Sequence, residues 1–142
     1  MQRVGIIMAG GSGERFWPLS RRSRPKQLLR LADPQETMLE HAVGRLAGII
    51  PPEHVYVATG EHLVAPVRAA GTGIPDENVI AEPCKRNTAG CLAYATAFLL
   101  AKYDVPAEQL AVAITTADHL IEGDVQFRAA IEAALAVAET QQ

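Results

Sequence analysis

The residues best placed to do chemistry lie in one N-terminal stretch, Met8 to Gln27, which carries glycines at positions 10, 11 and 13 and a run of cations. Closely spaced glycines let a backbone turn sharply and approach a ligand, with N–H groups free to face phosphate oxygens. Arg15, Arg21, Arg22, Arg24, Lys26 and Arg30 are six of the chain's thirteen basic residues, packed into sixteen positions that hold no acid. The formal net charge is −3, so outside this stretch seven bases stand against sixteen acids. A basic patch this local suits a small polyphosphate, held by backbone N–H groups and two cations, and argues against general nucleic-acid binding.

The spacing excludes two familiar phosphate motifs. A P-loop needs a Lys-Ser/Thr pair directly after its last glycine, whereas Lys26 lies thirteen residues beyond Gly13. A dinucleotide fingerprint needs a third glycine where Phe16 stands. The plain alternative is a tight turn with a solvated basic surface. A second candidate is Asp118 in Thr116-Ala117-Asp118-His119. Placed at a strand end, it can hold Mg²⁺ through one carboxylate oxygen, with phosphates and water completing the octahedron, or it can simply cap a loop. His119 reads as a hydrogen-bonded loop histidine, and His41, His54 and His62 carry no convincing chemistry. Cys84 and Cys91 have neither metal-ligand spacing nor a disulfide pattern, which points to reduced thiols. No apolar run reaches membrane-spanning length, and a cytoplasmic protein with no membrane partner is expected.

These residues must be positioned by the elements around them. Apolar runs alternate with helical patterns, which describes successive βα units and predicts a mostly parallel sheet covered on both faces. Strands are expected over about 3–8, 54–59, 78–81 and 110–115. The glycine stretch then leaves the first strand at its carboxyl end, and Asp118 leaves the fourth beside it. Thr37 and Glu40 have the form of a capping box, opening a helix that buries Leu39, Val43, Leu46 and Ile50 and runs to Pro51-Pro52. A short helix over 61–70 is weakened by Pro66. Asn87 is placed as the N-cap of an Ala/Leu-rich helix to about Tyr103, whose few charges predict that it is largely buried. Asp124 caps a last helix to about Glu139. The chain then stops with no further strand, which reads as a truncated domain, residues 1–142 forming one unit. Trp17 reads as a half-buried packing residue and Phe16 as packed under the loop.

Ala9-Gly10-Gly11-Ser12-Gly13-Glu14-Arg15-Phe16-Trp17-Pro18-Leu19-Ser20-Arg21, followed by Pro25-Lys26-Gln27, resembles the GGxGxR(L)xPL…PK signature of the sugar-phosphate nucleotidylyltransferases. Its Trp-Pro-Leu-Ser-Arg and Pro-Lys-Gln form looks like the mannose-1-phosphate guanylyltransferase branch. Glu82-Pro83-Cys84-Lys85-Arg86-Asn87-Thr88-Ala89 resembles that branch's EPxxRNTA, and Ala117-Asp118-His119 resembles its PADH. The three segments are co-linear over residues 4 to 121. Phe16, Gly90 and Thr116 depart from the family's Leu, Pro and Pro, changing backbone stiffness and packing without removing a charge.

The resemblance implies a Rossmann-like α/β sheet of the nucleotide-diphospho-sugar transferase type, of which this chain is the N-terminal nucleotide-binding part. It implies transfer of GMP from GTP to a sugar 1-phosphate, mannose 1-phosphate in this branch, with Mg²⁺ as cofactor and pyrophosphate released. Arg15 and Lys26 take the catalytic roles; Ala9, Gly10, Gly11, Ser12 and Gly13 hold the nucleotide; the segment with Glu82, Asn87 and Thr88 lies toward the guanine, and its Arg86 pairs with a phosphate or with Glu82; Asp118 is the metal ligand. A second family ligand for the metal lies beyond residue 142. Rival readings are a non-catalytic nucleotide-binding fragment, a regulatory paralogue, and a nucleotidylyltransferase for a different base or sugar, with a homo-oligomer left open.

Overall fold

The structure is a computed structural model that describes residues 1–11, 16–21, 24–84 and 87–140. Four strands form one sheet: β1 (Gln2–Met8), β2 (Val55–Gly60), β3 (Val79–Glu82) and β4 (Leu110–Thr116). All pairings are parallel, in the order β3-β2-β1-β4. β1 runs beside β4 in unbroken register, from Gln2 opposite Leu110 to Met8 opposite Thr116. The expected neighbourhood of the two site loops follows from that register, since each loop begins one or two residues further on.

Helices cover both faces, as the apolar strands require. Residues of alternate parity along each strand point to opposite sides. On one side Ile7, Val55, Val57, Val79 and Ala113 meet α1 (Met38–Leu46), α2 (Val64–Ala69) and α4 (Asp124–Thr140). On the other, Val4, Ile6, Tyr56, Ala58 and Ile80 meet α3 (Asn87–Tyr103) through Cys91, Ala95 and Leu99. β1 lies inside the sheet, which is why Val4, Ile6 and Ile7 are fully buried.

Several expectations are corrected by the packing. α3 buries only the stripe Cys91, Ala95 and Leu99, because it lies on the sheet with one face and turns Ala89, Ala93, Ala97, Ala101 and Tyr94 to solvent. A low count of charges therefore did not mean deep burial: alanine loses little by exposure. α1 ends at Leu46, well before Pro51-Pro52, and the chain leaves it through Gly48 at φ 82, a left-handed conformation that glycine accepts without strain. Ile50 still enters the core from the following turn. The segment over 61–70 divides into a 3₁₀ turn, Glu61–Leu63, and the short α2. β3 extends one residue further than expected and includes Glu82. Trp17 is 76% exposed, against the half-buried packing expected of it, and Phe16, 40% exposed, keeps much of its surface open.

Among the described residues no helix is long and apolar enough to cross a membrane. α4 packs through a stripe four residues apart, Phe127, Ile131 and Leu135, and its end is tied back to β1 by Arg3, whose Nε donates to Glu139 Oε1 at 2.7 Å.

Candidate functional site

A cleft of about 250 Å³ opens at the carboxyl ends of β1 and β4. Crevices at this end of parallel strands are where α/β sheets bind ligands. The wall from β1 is Ala9, Gly10 and Gly11, carried past the strand end by a hydrogen bond from Ala9 N to Ala58 O at 2.8 Å. Lys26 comes from the 3₁₀ turn Lys26–Leu28, Glu82 from the end of β3, and Asn87 and Thr88 from the first turn of α3. Asp118 arrives from β4, where Ala117 N extends the ladder by donating to Met8 O at 3.0 Å. Eight of the residues singled out from sequence thus share one cavity. Ser12, Gly13, Arg15 and Arg86 lie outside the described residues.

Lys26 Nζ donates directly to Asp118 Oδ2. Burial pushes the Asp118 carboxyl upward, but the Lys26 hydrogen bond and charge, helped by His119, outweigh it and hold the group below its usual range. His119 itself is exposed, with Nε2 3.9 Å from Asp118 Oδ1. The Asp118 loop is braced from behind: Arg45, buried on α1, donates from Nη2 to the His119 carbonyl at 3.0 Å. The start of α1 is fixed by the expected capping box, in which Thr37 N donates to Glu40 Oε2 at 2.6 Å and Glu40 N to Thr37 Oγ1 at 3.2 Å.

Glu82 stands over the glycine turn. A Cβ on Gly10 would lie 2.8 Å from Glu82 Oε1, so only glycine lets backbone and carboxylate approach this closely. Asn87 opens α3 at φ 56 rather than with the extended backbone of an N-cap, a left-handed conformation that Asn tolerates better than most residues.

Gln27, Cys91 and Thr116 also line the cleft, and sequence reasoning gave none of them a role there. Cys91 lies one helical turn beyond Thr88, a spacing that could have revealed it. Burial, with the charge and hydrogen bonding of Glu82, pushes its thiol up to about 12. Gln27 carried no charge to flag it; the signal was its place directly after Lys26.

A glycine-edged cleft holding a cation, two carboxylates and a helix start, at the carboxyl end of a parallel sheet, defines a class of nucleotide-binding α/β proteins. The nucleotidyl transferase family model matches residues 4–141, and the chain belongs to that family. It is 38% identical over 135 residues to a mannose-1-phosphate guanylyltransferase of Escherichia coli strain K12, covering 94% of this chain and 28% of that protein. It is 35% identical over 136 residues to mannose-1-phosphate guanylyltransferase 2 of Escherichia coli O157:H7, covering 95% of this chain and 28% of the relative. A crystal structure described as a mannose-1-phosphate geranyltransferase from Thermus thermophilus superposes with a TM-score of 0.77 at 38% identity, over 94% of this chain and 37% of that one. The chain therefore spans under a third of the length of these curated relatives.

Proposed function

We propose that this chain supplies the nucleotide-binding part of an enzyme that transfers GMP from GTP to mannose 1-phosphate, giving GDP-mannose and pyrophosphate. The observation that carries the reading is the meeting of Lys26 and Asp118 beside the glycine turn, with Glu82 on the neighbouring wall of the same cleft. The names of the relatives supply the base and the sugar.

In this reaction an oxygen of the sugar phosphate attacks the α-phosphorus in line, and the bond to the β-phosphate oxygen breaks, pyrophosphate leaving with the electron pair. The protein's part is positioning and charge neutralisation, with no side-chain nucleophile. The backbone of Ala9, Gly10 and Gly11 lies along the nucleotide. Lys26 neutralises charge at the α-phosphate and the leaving group, and Arg15, outside the described residues, is assigned to the β- and γ-phosphates. Glu82 accepts from the guanine N1–H and exocyclic amine, which only guanine offers together on that edge. Asn87 and Thr88 complete that side, and Arg86, Ser12 and Gly13, outside the described residues, are assigned to the nucleotide as well.

A Mg²⁺ ion fits the donor set. Asp118 offers one hard carboxylate at the cleft wall, and Mg²⁺ is commonly held by one or two carboxylates plus substrate phosphates. Among the described residues no group of three acidic, His or Cys side chains that could hold a metal ion gathers. Bound there, the ion would supply charge stabilisation for the phosphates. A cytoplasmic setting suits a protein with an exposed free thiol at Cys84.

The test is a nucleotide panel. Calorimetric titration with GTP, ATP and UTP should give tightest binding for GTP, and Glu82→Ala should remove the preference; equal affinities in the unaltered protein would contradict the guanine assignment.

A further inference from the structure

Two buried polar side chains have no part in the chemistry above, yet both end on one atom of the glycine turn. Gln27 is 1% exposed and Thr59 is fully buried. Thr59 Oγ1 donates to the Ala9 carbonyl at 3.0 Å. Gln27 Nε2 donates to the same oxygen and, at 3.1 Å, to the Gly11 carbonyl two residues on. Burying an amide and a hydroxyl is costly unless each makes such bonds, so this arrangement is held from both sides.

The consequence lies on the other side of the peptide. The Ala9–Gly10 unit is planar and trans, so its N–H points away from its carbonyl. With the carbonyl held by Gln27 and Thr59, the Gly10 N–H is directed away from the two side chains that bind that oxygen, and Gly10 itself lines the cleft. Among the described residues no group accepts from this N–H. Gly10 lacks the Cβ that would collide with Glu82 Oε1, so the approach stays open.

We propose that Gln27 and Thr59 are positioning residues that together aim the Gly10 amide at an acceptor atom of the bound nucleotide. This deepens the proposed function and rests on its nucleotide-binding reading. Both side chains act through the Ala9 carbonyl, so their loss should be strongly non-additive. Among the described residues the Gln27 Oε1 atom is buried without a hydrogen-bond partner, so the side chain bonds through its donor alone.

The experiment is a GTP titration of the ¹⁵N-labelled protein, following the Gly10 amide by NMR and affinity by calorimetry. In the unaltered protein the Gly10 amide proton should move downfield as GTP saturates the cleft. Gln27→Met and Thr59→Val, close in shape but without the donors, should each weaken GTP binding by roughly tenfold, the size expected for one misdirected hydrogen bond. The double variant should be little worse than either, and Thr59→Ser should recover most of the affinity lost in Thr59→Val. GTP binding that leaves the Gly10 amide unmoved would overturn the proposal while leaving the nucleotide reading intact, a result the unaltered protein alone can give. Absence of GTP binding in the unaltered protein would overturn the nucleotide reading and the proposal together.

Discussion

Lys26 and Asp118, 92 residues apart in the chain, are joined side chain to side chain at the mouth of the cleft. The pair exists because β4 runs parallel to β1 in full register, which delivers the loops after both strands to the same place. Each group neutralises the other, and each is the kind of group a nucleoside triphosphate or its metal needs.

Stability and turnover should respond differently to breaking this pair. The two side chains are 18% and 33% exposed, so solvent screens them and their coupling should be about 1 kcal/mol or less in a double-mutant cycle. Turnover of the enzyme carrying Lys26→Ala should fall about 100- to 1,000-fold, as when one preorganised electrostatic contact to a transition state is removed. Thermal unfolding and pyrophosphate release measured on the same variants separate the effects. A large stability loss with proportionate activity loss would make the pair a structural tie.

Arg45 should matter to stability despite lying outside the cleft lining. Its guanidinium is 5% exposed, donates to the His119 carbonyl at 3.0 Å, and has Nε 3.7 Å from Asp124 Oδ1. Arg45→Met keeps much of the volume but removes the donor, and should cost about 2 kcal/mol in urea unfolding. Arg45→Lys should recover only part, since one ammonium cannot reproduce the fork. A loss under about 0.5 kcal/mol, the level of an ordinary surface change, would show the contact to be incidental.

The capping box makes stability depend on pH in a defined direction. The Thr37 backbone N–H, followed by its side chain, holds the Glu40 carboxyl below its ordinary value of 4.5. A depressed folded value means the stabilisation is complete above the unfolded value and is lost as pH falls through the lower, folded one. Glu40→Ala should therefore be less stable than the unaltered protein at neutral pH, with the deficit shrinking below pH 4.5. Thr37→Ala should cost about 1 kcal/mol at neutral pH. Denaturant midpoints across the acid range check both, and a Glu40→Ala deficit unchanged in acid would contradict the account.

The two cysteines should react very differently. Cys84 is exposed, whereas Cys91 is buried against Glu82 with its thiol pushed up to about 12. Since the thiolate is the reactive form, iodoacetamide at neutral pH should label Cys84 in the native protein and Cys91 only after unfolding. Peptide mass spectrometry reads the outcome, and equal native labelling would place Cys91 elsewhere than in this packing.

Much of the site was legible because its signals are local. Gly10 and Gly11 come just after β1, Thr37 and Glu40 pair at capping-box spacing, and the βα alternation brings Asp118 beside them before any register is known. What the sequence hid depends on packing. Gln27 and Thr59 are neutral polar residues whose importance appears only when both are seen bonded to the Ala9 carbonyl. Arg45 reads as a surface cation until α1 is seen to bury it beneath the His119 loop. The exposure of Trp17 reversed its expected packing role, since aromatic size favours burial but no element among the described residues covers this side chain. For α3, composition was misleading because its many alanines suit either environment.

The central claim, guanylyl transfer in this cleft, is tested most directly by pyrophosphate release from GTP on addition of mannose 1-phosphate with Mg²⁺, using the full-length enzyme that carries these residues. Release should require both substrates, and should fall by orders of magnitude in Lys26→Ala and Asp118→Asn. Pyrophosphate release at unchanged rates in both variants, or none from the unaltered enzyme with GTP and mannose 1-phosphate, would contradict it.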